Sequence, residues 1–355
     1  MTVLIKPSSY ACNLKCSYCF YCDEVESRED KSVSFMNNET VDSIIREIDA
    51  YAKPNDEINI MFQGGEPLLA GPDFYRNFIK KAKILEEHGH EVLFDIQTNG
   101  TLLSDEYCEI FKDNDFLVGV SLDGPKELHN KNRGDTFDQV MKGIELLGKY
   151  GIFFTILSVI TNDTDANEYF KFCKENNFNS VQPIYCLDSL DDDKKQNRLD
   201  VKHIVRFKKR LFNKWIEDIE NEDCLCVREF ENLASFLVDG EFEQCGFDGK
   251  CRPQLVIESD GSCYPCDFYC IDKYKCCNIN SSTIKEMLLS KQMKDFMNYN
   301  PPISDLCNGC EFNGICFGGC KRYRSLFSSE KGYCPYKDFF MHASEKLALK
   351  GYFDE

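Results

Sequence analysis

Up to about residue 230 the chain alternates short apolar runs with longer stretches in which apolar positions recur every three or four residues. The runs at residues 3–7, 58–62, 92–97, 117–122, 153–160 and 181–187 predict strands. The periodic stretches at 38–51, 73–88, 137–150 and 165–176 predict amphipathic helices. Such alternation builds a parallel sheet with covering helices. Six strands are too few for an eight-fold barrel, so an α/β fold with a partial barrel is expected. A polar stretch at 188–200 leads into a further helical segment at 201–220. From about residue 240 the pattern breaks. Twelve of the 21 cysteines fall between Cys245 and Cys334, among glycines and few long apolar runs. A segment of this kind is expected to be organised by metal rather than by a conventional core. The division predicted is 1–230 for the barrel and 231–355 for a small cysteine-rich domain.

Composition narrows the chemistry. A formal charge of −18 argues against nucleic acid or an anionic membrane surface as the main partner. No run approaches the roughly 18 apolar residues of a membrane span. The opening residues, MTVLIKPSSY, lack the basic start and long apolar stretch of a signal peptide, so a cytoplasmic protein is expected. Thiols stay reduced in the cytosol, which makes metal ligation the better use for so many cysteines than disulfides. Oxidisable metal sites in that number point to an anaerobic or strongly reducing cell.

The most informative run is Cys12-Asn-Leu-Lys-Cys16-Ser-Tyr-Cys19, just after the first predicted strand. Three thiolates at C-x3-C-x2-C spacing can hold three irons of a four-iron cluster. The fourth iron is then left without a protein ligand. Beside the aromatic Tyr18, that arrangement suits the binding and cleavage of S-adenosylmethionine, a cofactor of radical chemistry. Its place at the carboxyl end of a strand is where barrel active sites lie. Zinc usually takes paired C-x2-C knuckles with four ligands, and no fourth ligand follows at a suitable spacing. After the second predicted strand comes Gln63-Gly64-Gly65-Glu66-Pro67. Its glycines permit close backbone approach to a ligand, and the Glu66 carboxylate offers acceptors for an ammonium group. Alone this segment reads as a turn; one strand–helix unit after the cysteine loop it reads as part of a site.

In the tail, Cys245, Cys251, Cys266, Cys307, Cys310, Cys316, Cys320 and Cys334 make eight thiolates, enough for two fully ligated four-iron clusters. A pair of zinc knuckles uses the same number. Asp267, beside Cys266, is a candidate general base if geometry allows, and equally a surface carboxylate. The remaining cysteines, Cys22, Cys263, Cys270 and adjacent Cys276-Cys277 among them, read by default as small buried hydrophobes.

These segments together resemble the radical S-adenosylmethionine superfamily, in particular members carrying a SPASM auxiliary-cluster domain. The stretches LIKPSSYACNLKCSYCFY, FQGGEPLLAG, QTNGTLL, FLVGVSLDGPKELHN and ESDGSCYPCDFY look like those of anaerobic sulfatase-maturating enzymes, and the resemblance covers nearly the whole chain. It implies three [4Fe-4S] clusters. Cys12, Cys16 and Cys19 would hold the catalytic one. Cys245, Cys251, Cys266 and Cys320 would hold the first auxiliary cluster, and Cys307, Cys310, Cys316 and Cys334 the second. It further implies that Tyr18, Gly65, Glu66, Ser121, Arg133 and Leu187 contact S-adenosylmethionine. Arg133 suits that cofactor's carboxylate, since guanidinium pairs with such groups in two places. Tyr21 and Gln63 would face the substrate, and Asp267 would be the catalytic base. The implied reaction takes hydrogen from Cβ of a Cys or Ser in a sulfatase peptide with a 5′-deoxyadenosyl radical, giving formylglycine. A flavodoxin- or ferredoxin-type protein would supply electrons.

A second reading within the superfamily is a maturase that forms thioether or carbon–carbon crosslinks in a ribosomally made peptide. Many such enzymes carry a leader-binding module ahead of the barrel, and here the cluster loop begins too early for one. A third reading, of another class, is a zinc-bound scaffold or electron-transfer protein.

Overall fold

The computed structural model describes residues 1–349, apart from 33, 191–198, 222, 223, 241, 243 and 329. Most of the polar stretch at 188–200 therefore lies outside the described residues. The chain forms two compact units, each assembled from separate segments.

The first unit comprises Met1–Leu122, Asn130–Thr155 and Pro253–Tyr299. Its parallel strands are β1 (Thr2–Lys6), β2 (Glu57–Phe62), β3 (Glu91–Thr98) and β4 (Leu117–Ser121). The helices predicted at 38–51 and 73–88 appear as Asn38–Tyr51 and Pro72–Glu87. The first starts where the Asn37 side chain accepts the Thr40 N–H at 2.9 Å, satisfying an orphan donor of the first turn. Its Val41, Ile44, Ile45 and Ile48 are buried at helical spacing. Phe62 on β2 is fully buried among Phe74, Tyr75, Phe78 and Phe116, mostly edge-to-face.

Sequence patterning did not anticipate the far edge of this unit. β8 (Leu255–Glu258) pairs in parallel with β1, and β9 (Ser262–Tyr264) and β10 (Cys277–Asn278) continue antiparallel from it. Leu255, Val256 and Ile257 are buried. Residues 255–278 complete the sheet edge that β1 would otherwise expose. The boundary expected near residue 230 falls inside the helix Arg228–Asp239, and the cysteine-rich half contributes to both units.

The second unit comprises Asp123–His129, Ile156–Arg252 and Asn300–Glu355. Parallel strands β5 (Phe154–Ile160), which begins at the end of the first unit's segment, β6 (Ser180–Tyr185) and β7 (Cys226–Val227) run through it. The predicted helix at 201–220 spans Val201–Glu220 and packs Phe212 and Trp215 against Phe230 and Phe339. Among the described residues, no helix is long and apolar enough to cross a membrane.

Candidate active site

The cysteine loop leaves the end of β1 and is tied down mainly by backbone, with Ser8 Oγ adding a bond to Glu66 O at 2.8 Å. Beyond the β1–β2 ladder, Gln63 N–H donates to Ile5 O at 2.9 Å. Gly65 N–H donates to Ser9 O and Glu66 N–H to Ala11 O, each at 2.8 Å. Gly64, at φ +131°, and Gly65 are required here by contact. A Cβ on Gly65 would lie 2.2 Å from Ala11 O, and one on Gly64 2.8 Å from Ser9 O. The close approach these glycines permit is thus to the cysteine loop itself. Ser17 N–H donates to Asn132 O at 2.9 Å, tying the loop to the residue before Arg133.

Glu66 is fully buried beneath this junction. Its carboxylate accepts from Leu68 N–H at 3.1 Å, Thr98 Oγ1 at 2.7 Å and Asn99 N–H at 2.7 Å. Burial pushes its pKa up to about 7 against the pull of Asn99, Thr98 and Leu68. Glu66 therefore braces two segments, 66–68 and 98–99, with the oxygens that sequence reasoning reserved for an ammonium group.

The three loop thiols lie close enough to act on one another. Burial first, then Cys16 and Cys19 among its neighbours, pushes Cys12 up to about 11. Donors already point at these sulfurs: Leu14 N–H at 3.4 Å and Asn99 Nδ2 at 3.9 Å from Cys12, and Arg133 Nη1 at 4.0 Å from Cys16. The Arg133 guanidinium also lies 5.4 Å from the centre of the Tyr18 ring. Cys22 is not a packing hydrophobe: its thiol hydrogen-bonds Cys19. That bond, with Arg133 adding, holds Cys19 down to about 6 and pushes Cys22 up. Cys263 and Cys270 are fully buried, as the default reading expected, and the Cys263 thiol also hydrogen-bonds Cys277.

Tyr21 and Gln63 flank the same loop. Tyr21 is buried, its hydroxyl donated to Glu258, which also pairs with Arg28 at 2.8 Å. Asp267 follows Cys266 in a short 3-10 turn, Asp267–Tyr269, and its N–H donates to Gln254 Oε1 at 3.2 Å. Its Oδ1 lies 2.8 Å from Lys6 Nζ. Sequence reasoning missed Lys6, the last residue of β1. Burial by itself would push its ammonium down; Asp267, backed by Glu258, outweighs that and holds it well above its usual value. Ser121 ends β4 and is half-buried.

In the second unit the tail thiols gather in two groups. Cys245, Cys251 and Cys320 act on one another, and so do Cys307, Cys310, Cys316 and Cys334. Arg322 N–H points at Cys320 Sγ at 3.4 Å and Lys337 N–H at Cys334 Sγ at 3.5 Å. Cys266 belongs to the first unit, and Leu187 lies buried in the second, just past β6. Burial pushes Cys12, Cys245, Cys307, Cys316 and Cys320 up, while the N–H donors on Cys12, Cys320 and Cys334 favour the negative charge that iron–sulfur ligation needs. Among the described residues, no three Cys, His, Asp or Glu groups converge as ligands of a single ion would; thiolates of a four-iron cluster each bind a different iron.

A parallel β/α sheet, a three-thiol loop at its first strand end and a cysteine-rich tail define a radical SAM enzyme with a SPASM region. Residues 7–181 match the radical SAM superfamily and residues 245–311 an iron–sulfur cluster-binding domain. The chain is 38% identical over 363 residues to a cysteine-type anaerobic sulfatase-maturating enzyme of Clostridium perfringens, covering 98% of this chain and 97% of the relative. It is 30% identical over 383 residues to a serine-type enzyme of Bacteroides thetaiotaomicron, covering 95% and 90%. A solved structure described as native anSMEcpe with bound AdoMet and Kp18Cys peptide matches with a TM-score of 0.88 at 35% identity, covering 98% of each chain. The chain belongs to the anaerobic sulfatase-maturating enzymes.

Proposed function

We propose that the chain oxidises a Cys side chain within a sulfatase segment to formylglycine. Cys is favoured over Ser because the cysteine-type relative is the more similar, at 38% against 30%. The proposed complement is S-adenosylmethionine and three four-iron clusters. Cys12, Cys16 and Cys19 hold the catalytic cluster. Cys245, Cys251, Cys266 and Cys320 hold one auxiliary cluster, and Cys307, Cys310, Cys316 and Cys334 the other. When bound, these groups supply a carbon radical that removes hydrogen from Cβ and a route for the second electron, with a flavodoxin- or ferredoxin-type protein as donor.

The chain's own residues position and deprotonate. Arg133, already beside Tyr18 and Cys16, is placed to pair with the cofactor carboxylate, and Gly65, Ser121 and Leu187 are further cofactor contacts in this proposal. Glu66 contributes by fixing the backbone of 65–68 and 98–99 rather than by offering free oxygens. Tyr21 and Gln63 border the peptide side chain, and Asp267 accepts its proton. The observation that carries this assignment is the state of the Asp267 carboxylate. Its Oδ1 is ion-paired at 2.8 Å with Lys6, the last residue of the strand that launches the cysteine loop, which stations the carboxylate at the end of that strand.

The test is mass spectrometry of a Cys-containing sulfatase peptide after anaerobic, reductive turnover with the iron-loaded chain. Aldehyde formation is expected, faster than from the Ser peptide. An Asp267→Asn variant is expected to cleave S-adenosylmethionine yet form no aldehyde. An unchanged peptide would overturn the reading; full product from Asp267→Asn would remove Asp267 as the base.

A further inference from the structure

Lys6 is a charged residue where the fold expects an apolar one. The four residues from Val3 to Lys6 are all buried, and Lys6 is only 1% exposed. Burying an ammonium costs several kcal/mol unless it is paired. Three contacts hold it. Its Nζ lies 2.8 Å from Asp267 Oδ1 and 3.6 Å from the centre of the Tyr21 ring. Its stem runs beside Gly64, where an added Cβ would come within 3.2 Å of Lys6 Cβ. The ring it rests on is itself pinned. Tyr21 donates to Glu258, and Arg28 pairs with that same carboxylate and donates to Cys270 O.

Asp267 sits on a short 3-10 turn and meets the Lys6 ammonium at 2.8 Å. Charge attraction of this kind fixes where a carboxylate stands. A structural ion pair could equally be replaced by two apolar side chains, often without loss of stability. Nothing in packing calls for a lysine at the end of a buried strand.

We propose that Lys6 is a positioning residue for the oxidation: its buried ammonium, seated on Tyr21, sets where the Asp267 carboxylate stands relative to the peptide side chain. The proposal rests on Asp267 being the base. It adds that the base is placed by the strand that launches the cysteine loop, so both halves of the reaction are referred to β1.

The experiment uses the full, iron-loaded chain and a Cys-containing sulfatase peptide, counting 5′-deoxyadenosine and aldehyde in the same reaction. With Lys6→Gln, aldehyde is expected to fall about 100-fold, the effect of misplacing a reacting group by an ångström, while 5′-deoxyadenosine and peptide KM stay within about threefold. Lys6→Arg keeps the charge in a different shape and is expected to lie roughly three- to tenfold below the parent in aldehyde formed per 5′-deoxyadenosine. Aldehyde within about threefold of the parent for Lys6→Gln overturns the proposal, as does a parallel loss of both products in both variants. If Lys6→Gln does not fold, Lys6→Arg decides alone: uncoupled turnover supports the proposal and parental coupling refutes it. Thermal midpoints of the iron-loaded chain add a readout independent of turnover. Lys6→Gln should lower the midpoint by a few degrees, and less so in an Asp267→Asn background; equal shifts in both backgrounds would show the two groups uncoupled and refute the pairing. An inactive Asp267→Asn beside a fully coupled Lys6→Gln sinks the proposal alone, whereas an active Asp267→Asn sinks the reading beneath it.

Discussion

Two cysteine-bearing loops in this chain are held by opposite means. In the first unit the loop at residues 7–19 is zipped to residues 63–66 by main-chain hydrogen bonds, with Gly64 and Gly65 stripped of side chains to let the strands close. In the second unit the segment carrying Cys307, Cys310, Cys316 and Cys320 has only short turns, and Phe317, Gly318 and Gly319 run consecutively at positive φ. One buried guanidinium gathers it. Arg324 Nε donates to Gly319 O at 3.2 Å. Its two terminal nitrogens donate to Pro301 O, Gly249 O and Phe317 O, each at 3.3 Å, and to Asn300 Oδ1. The first loop is tied to a neighbouring segment by main-chain bonds. The second has main-chain bonds only between near neighbours and relies on the Arg324 side chain to draw its turns together.

Breaking the first kind of support should cost most. Gly65→Ala places a methyl against backbone, which cannot yield as a side-chain tip can. The expected loss is on the order of 3 kcal/mol or more, together with the iron held by Cys12, Cys16 and Cys19; urea midpoints and iron per chain would show both. Arg324→Lys should come next. An ammonium cannot fork to five carbonyl oxygens, and leaving some unpaired in a buried site costs about 2–4 kcal/mol. Limited proteolysis should then cut the 301–323 segment while the first unit stays intact. Equal damage to both units would erase the contrast.

The smallest effect sharpens it through pH. Because burial lifts Glu66 above the usual carboxylate range to about 7, its contribution is complete in acid and is lost as pH rises through about 7. Compared with Glu66→Gln, the parent should lose up to about 3 kcal/mol between pH 5 and 8. Denaturant midpoints at both pH values check the sign: a parent that gains on Glu66→Gln with rising pH would show the three donors outweighing burial.

The readable parts of the chain were those in which chemistry or periodicity forces a local pattern. Thiolate spacing marks Cys12, Cys16 and Cys19 because ligands must sit near one another along the loop. The helix at Asn38–Tyr51 declares itself by Val41, Ile44, Ile45 and Ile48 recurring on one face. Lys6 had no such signal. A lysine closing TVLIK reads as a strand end reaching for water, and its partner Asp267 is distant in the sequence. Glu66 was legible as important but not as a buried brace, since its donors Thr98 and Asn99 come from another strand end. β8 to β10 were hidden because strands of two to four residues among cysteines carry too few positions to show alternation.

The pairing of β1 with β8 also has a consequence in time. One neighbour of β1, Leu255–Glu258, lies roughly 250 residues downstream of it and is synthesised about 10–50 s later at ordinary elongation rates. Until then an apolar edge strand stands open to any other chain that offers a partner. The protein should therefore be most vulnerable to aggregation while still on the ribosome, and truncation before residue 255 should yield insoluble fragments even with the whole cysteine loop present.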